Sequence, residues 1–136
     1  MSASQIKATE RCNAVILRGV VHRAPEQREL DSGAVVLSFD LATNEETAAR
    51  ELVPVAWQRP AMSSEGTTRG ASGGLEVVAG IEVVVTGRVR RRFFRAGGAT
   101  QSRTEVIADE VVPVRQRRRA ASAIERALAA VGEDDR

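Results

Sequence analysis

Apolar and polar residues alternate along much of this chain, and the alternation predicts five strands. The first covers 13–21 and holds Val15, Ile16, Leu17, Val20 and Val21. The second, 34–43, puts Val35, Leu37, Phe39 and Leu41 on one face and Val36, Ser38, Asp40 and Ala42 on the other. That period of two is the mark of a half-buried strand. Pro25 and Asp31-Ser32-Gly33 punctuate the turn between them. The third is short, 52–57, and the proline within it, Pro54, predicts an edge strand or a bulged one. The fourth covers 81–94 and the fifth 101–114, joined by Ala96-Gly97-Gly98-Ala99 as a hairpin tip.

Between the third and fourth strands, 59–74 is rich in Gly, Ser and Thr and has no period. It reads as a surface loop or as a flap over a bound ligand. Residues 75–79 read as a short helical plug at the end of a barrel. Residues 120–131 are strong helix formers, with Ile124, Leu128 and Val131 on one side. They predict an amphipathic helix docked on the rest of the chain or on a partner subunit. Five strands and little helix make an all-β domain, and periodicity alone leaves barrel and sandwich both open.

A length of 136 residues suits one hydrophobic core, and 43% hydrophobic with 28% charged residues is ordinary for a globular chain. The net charge of +2 does not point to a polyanion, so the distribution of charge matters more. Lys7 is the only lysine among 20 basic residues. Such arginine bias fits GC-rich coding, and it also suits forked pairing with phosphate and stacking on bases.

One cysteine, Cys12, and one histidine, His22, exclude an intrachain disulfide and a Cys/His zinc site built from one chain. No metal and no cofactor is expected. No nucleophile–base pair stands out, because His22 lies in a predicted turn beside Arg23. There is no Walker loop, and the glycines at 70, 73 and 74 form no dinucleotide fingerprint. The expectation is a protein that is not an enzyme and takes no small-molecule substrate. Residues 1–10 lack a signal-peptide core, and no apolar run approaches the ~20 residues of a membrane span, so a cytoplasmic location is expected.

The fourth strand carries the candidate chemistry. Val83, Val85, Gly87 and Val89 alternate on one face, and Thr86, Arg88, Arg90, Arg92 and Phe94 on the other. Arg91, Phe93 and Arg95 continue the first face past the last clear core position, which predicts a β-hairpin finger extending from the barrel. Arginines neutralise phosphates, and an aromatic ring accepts a base by stacking, at roughly 1–3 kcal/mol per base. A solvated charged strand that discourages edge-to-edge aggregation is the plainer alternative. Trp57 shares parity with Val53 and Val55, which favours a core role; a bulge at Pro54 would turn it outward as a platform. Arg115, Arg117, Arg118 and Arg119 form a second basic run, either a phosphate contact or a solvated linker.

Several segments resemble bacterial single-stranded-DNA-binding proteins (SSB). Asn13-Ala14-Val15-Ile16-Leu17-Arg18-Gly19 is similar to that family's opening strand. Ser32-Gly33-Ala34-Val35 followed by Phe39-Asp40-Leu41-Ala42-Thr43-Asn44-Glu45 resembles its second, and Val53-Pro54-Val55-Ala56-Trp57 its third. Gly87-Arg88-Val89-Arg90 with Phe94 resembles its fourth, and Thr104-Glu105-Val106 the start of its fifth. The resemblance covers roughly 13–114. It implies an OB-fold: a five-stranded Greek-key barrel with an extended β-hairpin and a short C-terminal helix. It also implies sequence-independent binding of single-stranded DNA in replication, recombination or repair, by a homotetramer or a dimer.

On that reading Arg88, Arg90 and Arg92 contact phosphates, Phe94 and Trp57 stack bases, and Arg18 and Arg91 assist. Two further aromatic positions of the family fall here at Thr47 and at Glu51 or Leu52, which implies weaker binding or a heavier dependence on arginine. The end, Asp135-Arg136, lacks the acidic tip with a hydrophobic terminus typical of the family, which implies a secondary member with little recruitment of the usual partners. The chain divides into an N-terminal arm (1–12), the OB-fold domain (13–114, with 59–74 as a flexible loop) and a segment 115–136 of basic linker, short helix and acidic tail. Two other readings stay open: a primosome-type OB-fold adaptor that binds protein, and an RNA-binding OB domain, since DNA and RNA are told apart by contacts at the 2′-hydroxyl.

Overall fold

The structure, a computed structural model, describes residues 11–44, 49–60 and 77–132. Its elements in order are β1 (Val15–Val21), β2 (Glu26–Glu29), β3 (Val35–Ala42), β4 (Leu52–Arg59), β5 (Glu82–Ala96), β6 (Ala99–Pro113) and α1 (Arg117–Gly132). β1 pairs with both β3 and β5, β3 with β4, β4 with β6 and β6 with β5. The ring β1–β3–β4–β6–β5 therefore closes, antiparallel throughout except for the short β4–β6 contact. This is the five-stranded barrel of the OB-fold expected from the sequence.

Inward-facing residues of all five strands fill the barrel. Val21, Phe39, Leu41, Val55, Val83, Val85, Val106 and Val111 form its buried cluster, joined by Val77. Gly19 is needed where β1 crosses β3, because a Cβ there would collide with the carbonyl oxygen of Ala42.

The β5–β6 ladder carries one irregularity. Val83 to Thr86 pair with Pro113 to Glu110, and pairing resumes one residue out of step at Gly87 and Ala108, leaving Asp109 without a partner. This β-bulge reverses the parity of β6. Val106 and Ala108 face the core on one side of it and Val111 on the other, whereas strict alternation would aim Glu110 into the barrel. Gly87 lies against the kink, where a Cβ would collide with the carbonyl oxygen of Ile107.

The outward face of the same ribbon receives the helix. Val84 and Val112, directly opposite each other, pack against Ala120 and Ala123, with Val114 and Ile124 beside them. The small alanines let the helix lie close to the sheet. Arg126 fastens its far half, donating from Nε and Nη2 to the two oxygens of Glu110 at 2.9 and 2.8 Å. These bonds hold the Glu110 carboxyl below the usual range, although its partial burial works the other way.

Several local expectations change. β2 falls inside the turn that Pro25 and Asp31-Ser32-Gly33 predict; Glu-Gln-Arg-Glu is polar at every position, and it is a strand through its pairing with β3. Pro54 makes no bulge, and although β4 as a whole lies between β3 and β6, Pro54 sits where β4 is paired on one side only. β4 keeps unbroken register with β3, and its other side meets β6 only at Val55 and Ala56, so the missing N–H costs no ladder bond to β6. The short helix expected at 75–79 is not formed over 77–79, the part that is described. Val77 still fills the core without it. The helix starts three residues earlier than expected. Leu128, placed on its docked side by spacing, is 56% exposed, because the stripe that touches the sheet is Ala120, Ala123 and Ile124. Most of the loop 59–74, residues 1–10 of the arm 1–12, Thr47 and residues 133–136 of the tail lie outside the described residues.

Two stability tests arise here. Gly87→Ala should destabilise the protein by about 1–3 kcal/mol, read as a lower midpoint in urea, since overpacking against backbone cannot be relieved by a rotamer change. The Glu110–Arg126 pair contributes above the unfolded carboxyl's pKa, and that contribution is lost as pH falls through the lower folded value. Glu110→Gln should therefore flatten the acid limb of a melting-temperature profile taken between about pH 6 and 3; an unchanged acid limb would deny the pair any role.

Candidate nucleic-acid interface

Between the tip and Val106, β6 pairs with β5 and not with β4, so the end of the hairpin is a two-stranded finger. Gly97 and Gly98 turn it with φ of 63° and 82°, the left-handed pair that a two-residue hairpin of matching twist requires. Two-stranded ribbons are marginal in water without cross-strand side-chain support. At its root, Asn13 provides some of that support. Its side chain donates to the carbonyl of Val89 at 2.8 Å and accepts from the Val89 N–H at 2.9 Å, continuing the β1–β5 ladder beyond Val15.

Directly opposite residues of a sheet share a face, which fixes the finger's two sides. Val89 faces Val106 of the core, so Val89, Arg91 and Phe93 lie on the side continuous with the barrel interior. Arg91 stacks over the Phe93 ring at 5.1 Å and donates to Ser102 Oγ at 3.2 Å. Phe93 is 62% exposed, the most exposed large apolar side chain described. Arg88, Arg90, Arg92 and Phe94 lie on the other side, opposite Ile107, Glu105, Arg103 and Gln101. Arg92 stacks over the half-buried Phe94 ring at 5.4 Å.

The centre of that second side is Glu105, only 6% exposed. Its Oε2 accepts from Arg90 Nη2 at 3.1 Å and from Arg92 Nε at 3.3 Å, while Oε1 lies 3.8 Å from Arg103 Nε. The facing arginines 92 and 103 would repel on their own, and the carboxylate between them relieves that repulsion.

Trp57 stands apart from this cluster. Its side chain packs half-buried against the barrel core, and the Arg59 guanidinium covers the ring 4.5 Å from its centroid. Burial holds the Arg59 pKa below its usual value. Because β4 runs parallel to β6 from the Val55–Val106 pair, Trp57 lies toward Ala108, and the finger leaves in the opposite direction. At ~3.3 Å per residue, Trp57 and Phe94 are about 20 Å apart along the strands. Arg18 is on the outward face of β1, opposite Val84, with its Nε bonded to Glu82 at 2.8 Å. The structure thus brings Arg88, Arg90, Arg92 and Phe94 together, and leaves Arg91, Arg18 and Trp57 at three other places.

The comparisons with known proteins agree with this architecture. A model of the single-strand binding protein family matches residues 12–114. The chain belongs to that family. Among solved structures, this family member is similar to the dimeric N-terminal domain of the PriB protein from Thermoanaerobacter tencongensis. The match has a TM-score of 0.53 and 17% identity, and covers 74% of this chain and 94% of that one, a likeness of fold. No curated protein matches the chain.

Three interface residues carry no role in the pattern-based reading, Glu105, Asn13 and Arg59, and Phe93, which the alternation puts on the finger, is not among its candidate contacts. Glu105 was within reach, since counting back equally from the Gly97-Gly98 tip sets it against Arg90. The side-chain bridge from Asn13 to Val89 spans 76 residues and leaves no local signal. Arg59→Ala should uncover the only tryptophan. We expect a red-shifted emission and stronger acrylamide quenching of Trp57 in the free protein; an unchanged spectrum would mean that the guanidinium does not shield the ring.

Proposed function

We propose that this chain coats single-stranded DNA without reading its sequence and performs no catalysis. The observation that carries the proposal is the finger, where Arg88, Arg90, Arg91, Arg92 and Arg95 alternate sides around Phe93 and Phe94. Phosphates pair with Arg88, Arg90 and Arg92, and a base stacks on Phe94 beside them. Trp57 serves as a second platform, reached through the Arg59 guanidinium that already lies on its ring. Arg91 extends the contact on the opposite side, and Arg18 joins only by exchanging Glu82 for a phosphate. Membership of a single-strand binding family supports this reading, as does a barrel that leaves one long basic ribbon projecting from its wall.

A homo-oligomer working in replication, recombination or repair is part of the same proposal. The PriB domain that shares this fold is described as dimeric, which supports assembly as a dimer or as a larger multiple of it.

The deciding experiment is a titration of Trp57 fluorescence and of anisotropy with oligo-dT and with duplex of equal length, at low and moderate salt. Single strand should bind and duplex should not. The slope of log K against log salt should lose about 0.7 for each phosphate contact removed. Replacing Arg88, Arg90 and Arg92 together by glutamine should thus flatten it by about 2. Silence toward single strands in both assays would end this reading and turn the search toward a protein partner.

A further inference from the structure

Glu105 is the one charged side chain buried among the described residues, and it lies inside the basic side of the finger. Buried carboxylates are costly unless paired, and this one is paired three times, with Arg90, Arg92 and Arg103. The pairing is lopsided. The carboxylate is almost fully enclosed at 7%, whereas the arginine side chains keep 43–48% of their surface in water. Their outer N–H groups thus face solvent while the inner ones face Glu105.

This is the arrangement a phosphate would adopt with the same arginines: one anion, two oxygens, several guanidinium donors. Together with Arg88, the outward side carries four arginines, and Glu105 cancels one of their charges from within. We propose that Glu105 is an internal stand-in for a phosphate, and that it limits how strongly the finger grips a polyanion. It competes for the donors that a bound strand would use, and it lowers by one the charge available for releasing counterions from DNA. This inference rests on the single-strand-binding reading and names the residue that sets its strength.

The competition has a signature in salt. Glu105→Gln preserves shape and removes the charge, so the one positive charge it cancels among these arginines becomes available. The slope of log K against log salt on oligo-dT should steepen by about 0.7. If variant and parent converge near 1 M salt, that slope raises affinity about fivefold at 0.1 M. Glu110→Gln changes net charge equally but sits beneath α1, paired with Arg126. Its slope should match the parent's, which separates a local effect from a global one. Far-UV circular dichroism and a thermal melt report whether each variant is folded. Glu105→Thr, β-branched and suited to a strand, replaces the glutamine variant should that one not fold.

An unchanged or shallower slope in a folded Glu105 variant would overturn the proposal, as would an equal steepening in Glu110→Gln. Failure of both Glu105 variants to fold would also overturn it, by making the carboxylate a requirement of the fold. The parent protein tests the underlying reading separately. If it fails to bind oligo-dT even at low salt, that reading falls; if it binds and the variants do not differ from it, only the role of Glu105 falls.

Discussion

Asp109 is one residue more than its partner strand can match, and the arrangement of the β5–β6 ribbon depends on how that surplus is absorbed. The extra residue shifts β6 by one step against β5 and lets Val106, Ala108 and Val111 all face the barrel. The same shift sends Val112 outward, where with Val84 it makes the floor on which Ala120 and Ala123 rest. Finger, core and helix dock are consecutive stretches of one hairpin, and the bulge at Asp109 falls within the core stretch between the other two. Gly87 is the counterpart of the bulge, because the kinked backbone of β6 occupies the space a side chain would need.

On the finger, electrostatics and conformation are hard to separate. A two-stranded ribbon studded with arginine is opposed by its own charge, and much of the side-chain support visible along it, within each strand and across the pair, involves guanidinium groups. Arg92 covers Phe94, Arg91 covers Phe93 and reaches Ser102, and Arg90, Arg92 and Arg103 converge on Glu105. The arginines are therefore held in place before any ligand arrives. Holding them reduces the side-chain entropy lost on binding, while the carboxylate that holds them opposes the binding itself. The balance between these effects, rather than the number of arginines, determines how the finger behaves.

Much of this fold was legible in the sequence because barrel strands announce themselves by alternation. β3 is the clearest case, with Phe39 and Leu41 buried at the positions its period of two assigns. The double glycine marked the hairpin tip for a local reason, the left-handed backbone at Gly97 and Gly98. What failed to show was decided by partners remote in sequence. β2 has no apolar pattern and is a strand only because β3 lies beside it. Leu128 has the right spacing for a docked face, but the dock was set by where Val84 and Val112 emerge. At the candidate site, the alternation of Arg88, Arg90, Arg92 and Phe94 was readable, while the covering of Trp57 by Arg59 depends on side-chain conformation that no pattern encodes.

The two-glycine turn has a consequence for how this finger can vary among relatives. Side chains do not protrude at the tip, and beyond the bulge the strands are locked in register back to Gly87. Removing one residue from each strand next to the turn would shorten the finger and leave every remaining pair facing as before. Removing a single residue near the root would instead turn everything beyond it over, carrying Arg91 and Phe93 to the outward side and Arg90, Arg92 and Phe94 to the barrel side. The finger is thus free to grow or shrink at its tip in matched steps, while single-residue changes at its base exchange its two surfaces.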